Sequence, residues 1–247
     1  MSGKVYLVGI GPGSRDNMTP RAVARLESVA VVLGHETCLD MVKEFIAGKE
    51  IITGEMTPIE RAEIAAVKAL SGRDVAVVST GDAGVYAIAS TFFQYLKETG
   101  IKVSVEVIPG VTVASAAAAL LGSPLGHDFA VISLADLATP WSAIRKRLKS
   151  AAEADFAVVL YNPKGKLGNQ RIREAAKIIR AYRKATTPVG IVTNATGEAE
   201  KVQITTLEGL SCRSIDAETI LIIGNSETYV LDGRIITPRG YRKGVGY

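Results

Sequence analysis

Cysteine, histidine and tryptophan are scarce in this chain: two, two and one among 247 residues. Cys38 and Cys212 lie too far apart for a metal-ligand motif, and nothing suggests a disulfide framework. A reduced, cytoplasmic setting is therefore expected. His35 opens the run His-Glu-Thr-Cys, which is not H-E-x-x-H and has no third ligand nearby, so no metal site is expected. Long apolar runs are missing too. Ala116–Leu121 is too short to span a membrane and is closed by Gly122 and Pro124. The opening MSGKVYLVGI has no basic stretch followed by a long apolar core; it reads as a strand, not a signal peptide. Charge of one sign is weak, 29 Lys and Arg against 25 Asp and Glu, net +4. That excludes an electrostatic case for nucleic acid and suits an anionic small molecule. G-x-S-x-G is absent, and neither cysteine is flanked like a nucleophile.

What is present is organised around Val75–Tyr86, VAVVSTGDAGVY. Val75–Val78 is a short β-branched run of the kind buried on both faces of a parallel sheet. Ser79–Gly84 places two glycines around Asp82, and Ala87–Leu96 reads as a helix. Strand, glycine turn, helix is where open α/β sheets take ligands. The turn carries an acid and no lysine, the reverse of a phosphate cradle. Asp82 suits a hydroxyl, an amine or a cation, or else it caps the following helix.

In chain order, Val5–Ile10 is a strand entering Gly9–Gly13 (GIGPG), where Ser14 replaces the third glycine of a dinucleotide fingerprint. Thr19-Pro20 starts a helix to about Val29. A second strand near Val29–Leu33, a helix near Leu39–Phe45, a strand at Glu50–Ile52 and a helix at Ile59–Leu70 follow. Gly100 stops the helix after the central turn. Val103–Ile108 is a strand, and Val113–Leu121 a tightly packed Ala-rich helix. This alternation predicts a mainly parallel, doubly wound N-terminal α/β domain, 1–121. Gly122–Gly126 (GSPLG) is the linker candidate. Beyond it come strands at Phe129–Ser133, Phe156–Tyr161 and Val189–Thr193, with helices at Pro140–Ala151 and Arg171–Arg183. Short β segments follow at Val202–Thr206, Thr219–Ile223, Val230–Leu231 and Arg234–Ile236, with Asp232-Gly233 as a hairpin turn. A second, unlike α/β domain with a mixed sheet is predicted, 122–247. The polar or glycine-rich strand ends are expected to converge on a cleft between the domains for a medium-sized ligand.

GIGPG at Gly9, STGDAGVY at Ser79 and IPGVTVASAAAALLGSPL at Ile108 together resemble the tetrapyrrole methylase superfamily. GHDFAVISLADLATPW at Gly126–Trp141, LYNP at Leu160, TTLEGL at Thr205 and IIGNSETYVLDGRIITPRGY at Ile222–Tyr241 resemble its precorrin-3B C(17)-methyltransferases of cobalamin synthesis. The likeness covers nearly the whole chain. It implies S-adenosylmethionine as methyl donor, S-adenosylhomocysteine as product, and a homodimer. Pro12, Gly81, Asp82, Ala83, Tyr86, Thr112, Val113, Tyr161, Asn162 and Ala195 are then expected to border the cofactor.

The resemblance also implies methylation at carbon 17 with ring contraction by extrusion of carbon 20. Methyl transfer needs alignment and no protein nucleophile. Contraction needs proton transfers, for which His127, Asp128, Ser133, Asp136 and Thr139 are the candidates; Asp136 and Thr139 could equally cap the helix at Pro140. Arg15, Lys164 and Lys166 are expected to meet substrate carboxylates. Family members often have an aromatic pair where this chain has His35 and Cys38, a basic residue near Thr193, and Arg-Ser in place of Lys164-Gly165. Those departures leave a metal-free or a cobalt-bearing substrate open. Two alternatives remain at this point: another methylase of the same fold, acting on a different corrin carbon or a diphthamide precursor, and a non-catalytic nucleotide-binding module.

Overall fold

Strand β1 (Lys4–Gly9) lies inside a five-stranded sheet with its residues from Val5 onward buried. The computed structural model describes residues 2–135, 138–163, 169–210 and 215–241. They divide into two compact units, Met1–Val113 and Ala114–Tyr247. In the first, β1 is followed by α1 (Pro20–Ser28), β2 (Val31–Leu33), α2 (Glu36–Met41), β3 (Glu50–Ile52), α3 (Pro58–Leu70), β4 (Val75–Ser79), α4 (Ile88–Thr99) and β5 (Ser104–Ile108). The strand order is β3-β2-β4-β1-β5, and every pair is parallel.

Alternation along the strands explains the two helical layers. Val5, Leu7, Val75 and Val77 share one core cluster with Ala62, Ala65, Ala66 and Ala69 of α3 and Phe92 of α4. Tyr6, Val8, Ala76 and Val78 share the other with Ala22 and Leu26 of α1 and Leu39 of α2. Helix starts follow the local chemistry. Thr19 Oγ1 accepts from Ala22 N with Pro20 at the first helical position, and Thr57 with Glu60 forms a capping box. One helix departs from the sequence expectation of Leu39–Phe45. α2 begins earlier because the His35 ring accepts from Thr37 N, and Lys43–Phe45 is a separate 3-10 turn.

The second unit contains α5 (Val113–Leu121, all but its first residue), β6 (Gly122–Ser123), β7 (Phe129–Ser133), α6 (Trp141–Glu153), β8 (Ala157–Tyr161), α7 (Gln170–Arg180) and β9 (Pro188–Thr193). They are followed by β10 (Lys201–Thr206), β11 (Thr219–Ile223), β12 (Tyr229–Leu231) and β13 (Arg234–Ile236). Its main sheet runs β10-β9-β11-β8-β7, with β7 and β8 parallel and the other pairs antiparallel. The expected hairpin of β12 and β13 forms a small second sheet with β6, a strand the sequence does not predict. Gly122 and Ser123, read as part of a linker, pair in parallel with Ile235 and Ile236. Two residues are too few for any periodic signal. Buried hydroxyls fasten this sheet: Thr228 Oγ1 lies 2.8 Å from Thr237 Oγ1, which donates to Pro124 O at 2.7 Å. Arg183, its side chain only 2% exposed, donates to Ala152 O and Phe156 O and pairs with Asp155.

Candidate functional site

The carboxyl ends of β1 and β4 are neighbours in the first sheet. The chain leaves β1 toward β2 on one side and leaves β4 toward β5 on the other, which makes this the topological switch point where open sheets take ligands. Three loops meet there. Gly11 and Gly81 exchange two backbone hydrogen bonds, Gly11 N to Gly81 O at 3.0 Å and Gly81 N to Gly11 O at 2.8 Å. The third loop enters at Gly110. A Cβ on Gly110 would stand 2.2 Å from Gly81 O, and one on Gly9 would stand 2.8 Å from Gly110 N and Gly81 O. Only glycine permits so close an approach of three backbones.

Asp82 ties the knot. Its Oδ1 accepts from Gly84 N at 2.8 Å and its Oδ2 from Gly110 N at 3.0 Å. It does not cap α4, whose first turn follows Ala87 with no side-chain cap, so the capping alternative is set aside. Each carboxylate oxygen has a second lone pair, leaving room for another donor or a cation. Gly81 and Ala83 are buried, and Pro12, Thr112 and Val113 are half-buried. Tyr86 is 55% exposed and holds φ 52, a left-handed conformation unusual for a bulky residue.

Arg15 follows the GIGPG loop after Ser14. It pairs with Glu44 at 3.0 Å and lies 5.5 Å from the Phe45 ring centre, with its side chain 69% exposed. Burial pushes the Cys38 thiol up, more than the hydrogen bonds from Thr80 and Thr37 and the charge of Arg61 bring it down, so it is no activated nucleophile.

In the second unit Ser133, Tyr161, Asn162 and Ala195 fall at the carboxyl ends of β7, β8 and β9, whereas His127 and Asp128 precede β7 at its opposite end. Ser133 Oγ accepts from Asn162 Nδ2 at 3.0 Å, joining the β7 and β8 ends. Tyr161 Oη accepts the free N–H of Ala114 at the start of α5, at 2.9 Å. Asn162, Asn194 and Thr196 all have positive φ, at 50, 49 and 64. Ala195 is buried between the last two. Thr196 was missed by sequence reasoning. It is β-branched in the left-handed region, and its Oγ1 is buried with no hydrogen-bond partner. Strain and an orphaned hydroxyl at one strand end are the features of a position held for a ligand.

His127 and Asp128 are exposed neighbours, with His127 Nδ1 accepting from Asp128 N at 2.8 Å. Thr139 does not cap α6, whose N-terminus at Pro140 has no side-chain cap. Asp136, Lys164 and Lys166 lie outside the described residues. Trp141, the last residue of the motif starting at Gly126, donates to Glu174 at 2.6 Å and is covered by Arg171 at 4.2 Å. Burial pushes the Glu174 carboxyl up, but hydrogen bonds from Gln170 and Trp141 and the charges of Arg171 and Arg145 outweigh it and hold it low. Among the described residues no three His, Cys, Asp or Glu side chains are grouped to hold a metal.

A doubly wound unit with a glycine knot at its switch point, followed by a mixed-sheet unit, is a two-part α/β architecture, the class of the enzymes it matches. The chain belongs to the Tetrapyrrole (Corrin/Porphyrin) Methylases, whose family model matches residues 4–211. It is 42% identical to the "Probable cobalt-factor III C(17)-methyltransferase" of Salmonella typhimurium, over 95% of this chain and 98% of that one. It is 46% identical to a protein of the same name from Methanothermobacter thermautotrophicus, over 96% of this chain and 67% of that one. Among solved structures it is similar to the methyltransferase CobJ, with a TM-score of 0.91 and 31% identity over 96% of this chain and all of the other.

Proposed function

We infer that this chain methylates carbon 17 of a cobalt-bearing tetrapyrrole and contracts the ring, using S-adenosylmethionine and releasing S-adenosylhomocysteine. The observation that carries the reading is the glycine knot around Asp82, in a chain that aligns end to end with a relative named for that substrate and that carbon. The cobalt enters as part of the substrate. The protein acts as a homodimer in the cytoplasm, without nucleic acid or membrane; no helix among the described residues is long and apolar enough to cross a bilayer.

The residues present fit the donor. Glycines at 9, 81 and 110 leave backbone where side chains would stand, and the Thr196 hydroxyl is unpartnered. When bound, S-adenosylmethionine supplies an electrophilic methyl on a sulfonium sulfur. Pro12, Gly81, Ala83, Tyr86, Thr112 and Val113 would border it, and Tyr161, Asn162 and Ala195 are assigned to it on the family resemblance. Asp82 offers its spare lone pairs to a donor or positive group. No side chain needs to attack, because alignment of two bound reactants supplies the rate. Contraction needs a proton to be held and released. Ser133 is the best ordered of the described candidates, since its Oγ accepts from Asn162 Nδ2 and Ala135 N and a hydroxyl held in place can relay a proton. His127, Asp128 and Thr139 remain candidates, as does Asp136, and Lys164 and Lys166 are assigned to substrate carboxylates.

The test is incubation with cobalt-factor III and methyl-labelled donor, read by mass and NMR. A product gaining one labelled methyl at carbon 17, with a contracted ring, is expected. A methylated but uncontracted ring overturns the second half of the reading. No methyl transfer overturns all of it.

A further inference from the structure

The positive charge of this protein is concentrated in one place. Helices α6 and α7, which pack together, carry eight Lys and Arg against two Glu, net +6. The whole chain carries +4, so the rest is net negative. On α7, Arg173, Lys177 and Arg180 recur at helical spacing along one face, spanning about 10 Å at 1.5 Å per residue. All three are exposed. None makes a side-chain hydrogen bond or ion pair among the described residues, although Glu174 and Glu208 are near in sequence or space.

This face is not flat. Arg173, Lys177 and Arg180 form one wall of a pocket of about 280 Å³, closed by Leu207, Glu208 and Leu210 from the segment after β10. Leu207 is buried, and Leu210 packs against the core of the second unit. The pocket therefore offers the partly exposed Leu210 beneath a row of three cations, with Glu208 as the one acid among its described lining residues. None of the described residues proposed to hold the donor or the tetrapyrrole lines it.

The chemistry selects the occupant. Arginine pairs carboxylates in a bidentate fork, and unpaired Arg clusters are a recurring reader of acidic segments. The partly exposed Leu210 asks for an apolar side chain beside the acids. The cationic field extends beyond the pocket over both helices, which suits a macromolecule more than a lone small anion. Single-stranded nucleic acid is read largely by stacking on aromatic rings, and no aromatic side chain lines this pocket. We propose that the groove formed by Arg173, Lys177, Arg180, Leu207 and Leu210 is a docking site for an acidic, leucine-bearing segment of a partner protein.

Fluorescence anisotropy tests it on the full chain, with a labelled peptide of alternating glutamate and leucine. The controls are its glutamine-for-glutamate counterpart and a labelled oligothymidine. The acidic peptide binds tightest, and added salt weakens it. The triple variant Arg173→Gln, Lys177→Gln, Arg180→Gln loses roughly tenfold to hundredfold in affinity while methyl transfer and melting temperature stay unchanged. Lys177→Glu, a single exposed change, loses affinity in the same direction. Arg145→Gln with Lys149→Gln, outside the pocket, loses no more than about threefold. The proposal is overturned if the acidic and glutamine peptides bind alike, if the triple variant and Lys177→Glu bind as the unaltered chain does, or if oligothymidine binds tighter than the acidic peptide.

Discussion

In the first unit the loops after β1, β4 and β5 hold one another through backbone. Gly11 and Gly81 exchange two hydrogen bonds, and Gly9, Gly81 and Gly110 touch main chain to main chain. In the second unit the ends of β7 and β8 are joined by a backbone bond, Leu134 N to Tyr161 O, and by a side-chain bond, Asn162 to Ser133, and three residues at the ends of β8 and β9 sit in the left-handed region. Backbone contacts fix one geometry and leave little room for substitution. Side-chain contacts can be exchanged without rebuilding the loop. A donor shared across a family fits the first arrangement, and an acceptor that differs from one methylase to the next fits the second.

Substitutions can break that comparison. The largest effect is expected from Gly110→Ala, because the new Cβ meets the backbone of two other loops. It should cost about 3 kcal/mol, read by urea unfolding. A cost equal to that of an exposed Gly→Ala change would mean the knot is loose. Next comes Asp82→Ala, which leaves Gly84 N and Gly110 N without their acceptor. A loss of about 2 kcal/mol is expected. An unchanged midpoint would show that the loops hold without the carboxylate.

In the second unit the sign should reverse at Thr196. Thr196→Gly relieves a β-branched residue at φ 64 and should stabilise the ligand-free protein by about 0.5 kcal/mol, strain relief exceeding the entropy of a new glycine. Destabilisation would mean that the conformation is not strained. The smallest effect concerns Glu106 on β5, far from either set of loops in register. Hydrogen bonds from Lys4 and then Arg21 hold its carboxyl at about 2, below its ordinary 4.5. A carboxylate with a lowered folded value contributes stability that is present above 4.5 and lost as pH falls through 4.5 toward 2. The stability gap between the unaltered chain and Glu106→Gln should close across that window. A gap that stays constant would remove the electrostatic origin.

Much of the first unit is legible because its signals are local. Val75–Val78 announces a buried strand, Thr19-Pro20 a helix start, and the glycine turns mark the strand ends. What cannot be read is long-range. The second acceptor role of Asp82 depends on Gly110, far along the chain, and only tertiary structure brings them together. β6 is two glycine-rich residues whose pairing is set by β13. The orphaned hydroxyl of Thr196 is a property of burial, which no spacing encodes. The clamp of Trp141 by Arg171 and Glu174 joins two helices far apart in the chain.

We propose that the knot around Asp82 is the main hold on the methyl donor and that Ser133 acts on the acceptor. Paired calorimetry and turnover on Asp82→Ala and Ser133→Ala tests it most directly. Asp82→Ala should raise the Kd for S-adenosylhomocysteine about tenfold or more. Ser133→Ala should leave that Kd within about twofold while turnover falls roughly a hundredfold. Equal shifts in Kd for both variants, or full turnover in Ser133→Ala, would contradict it.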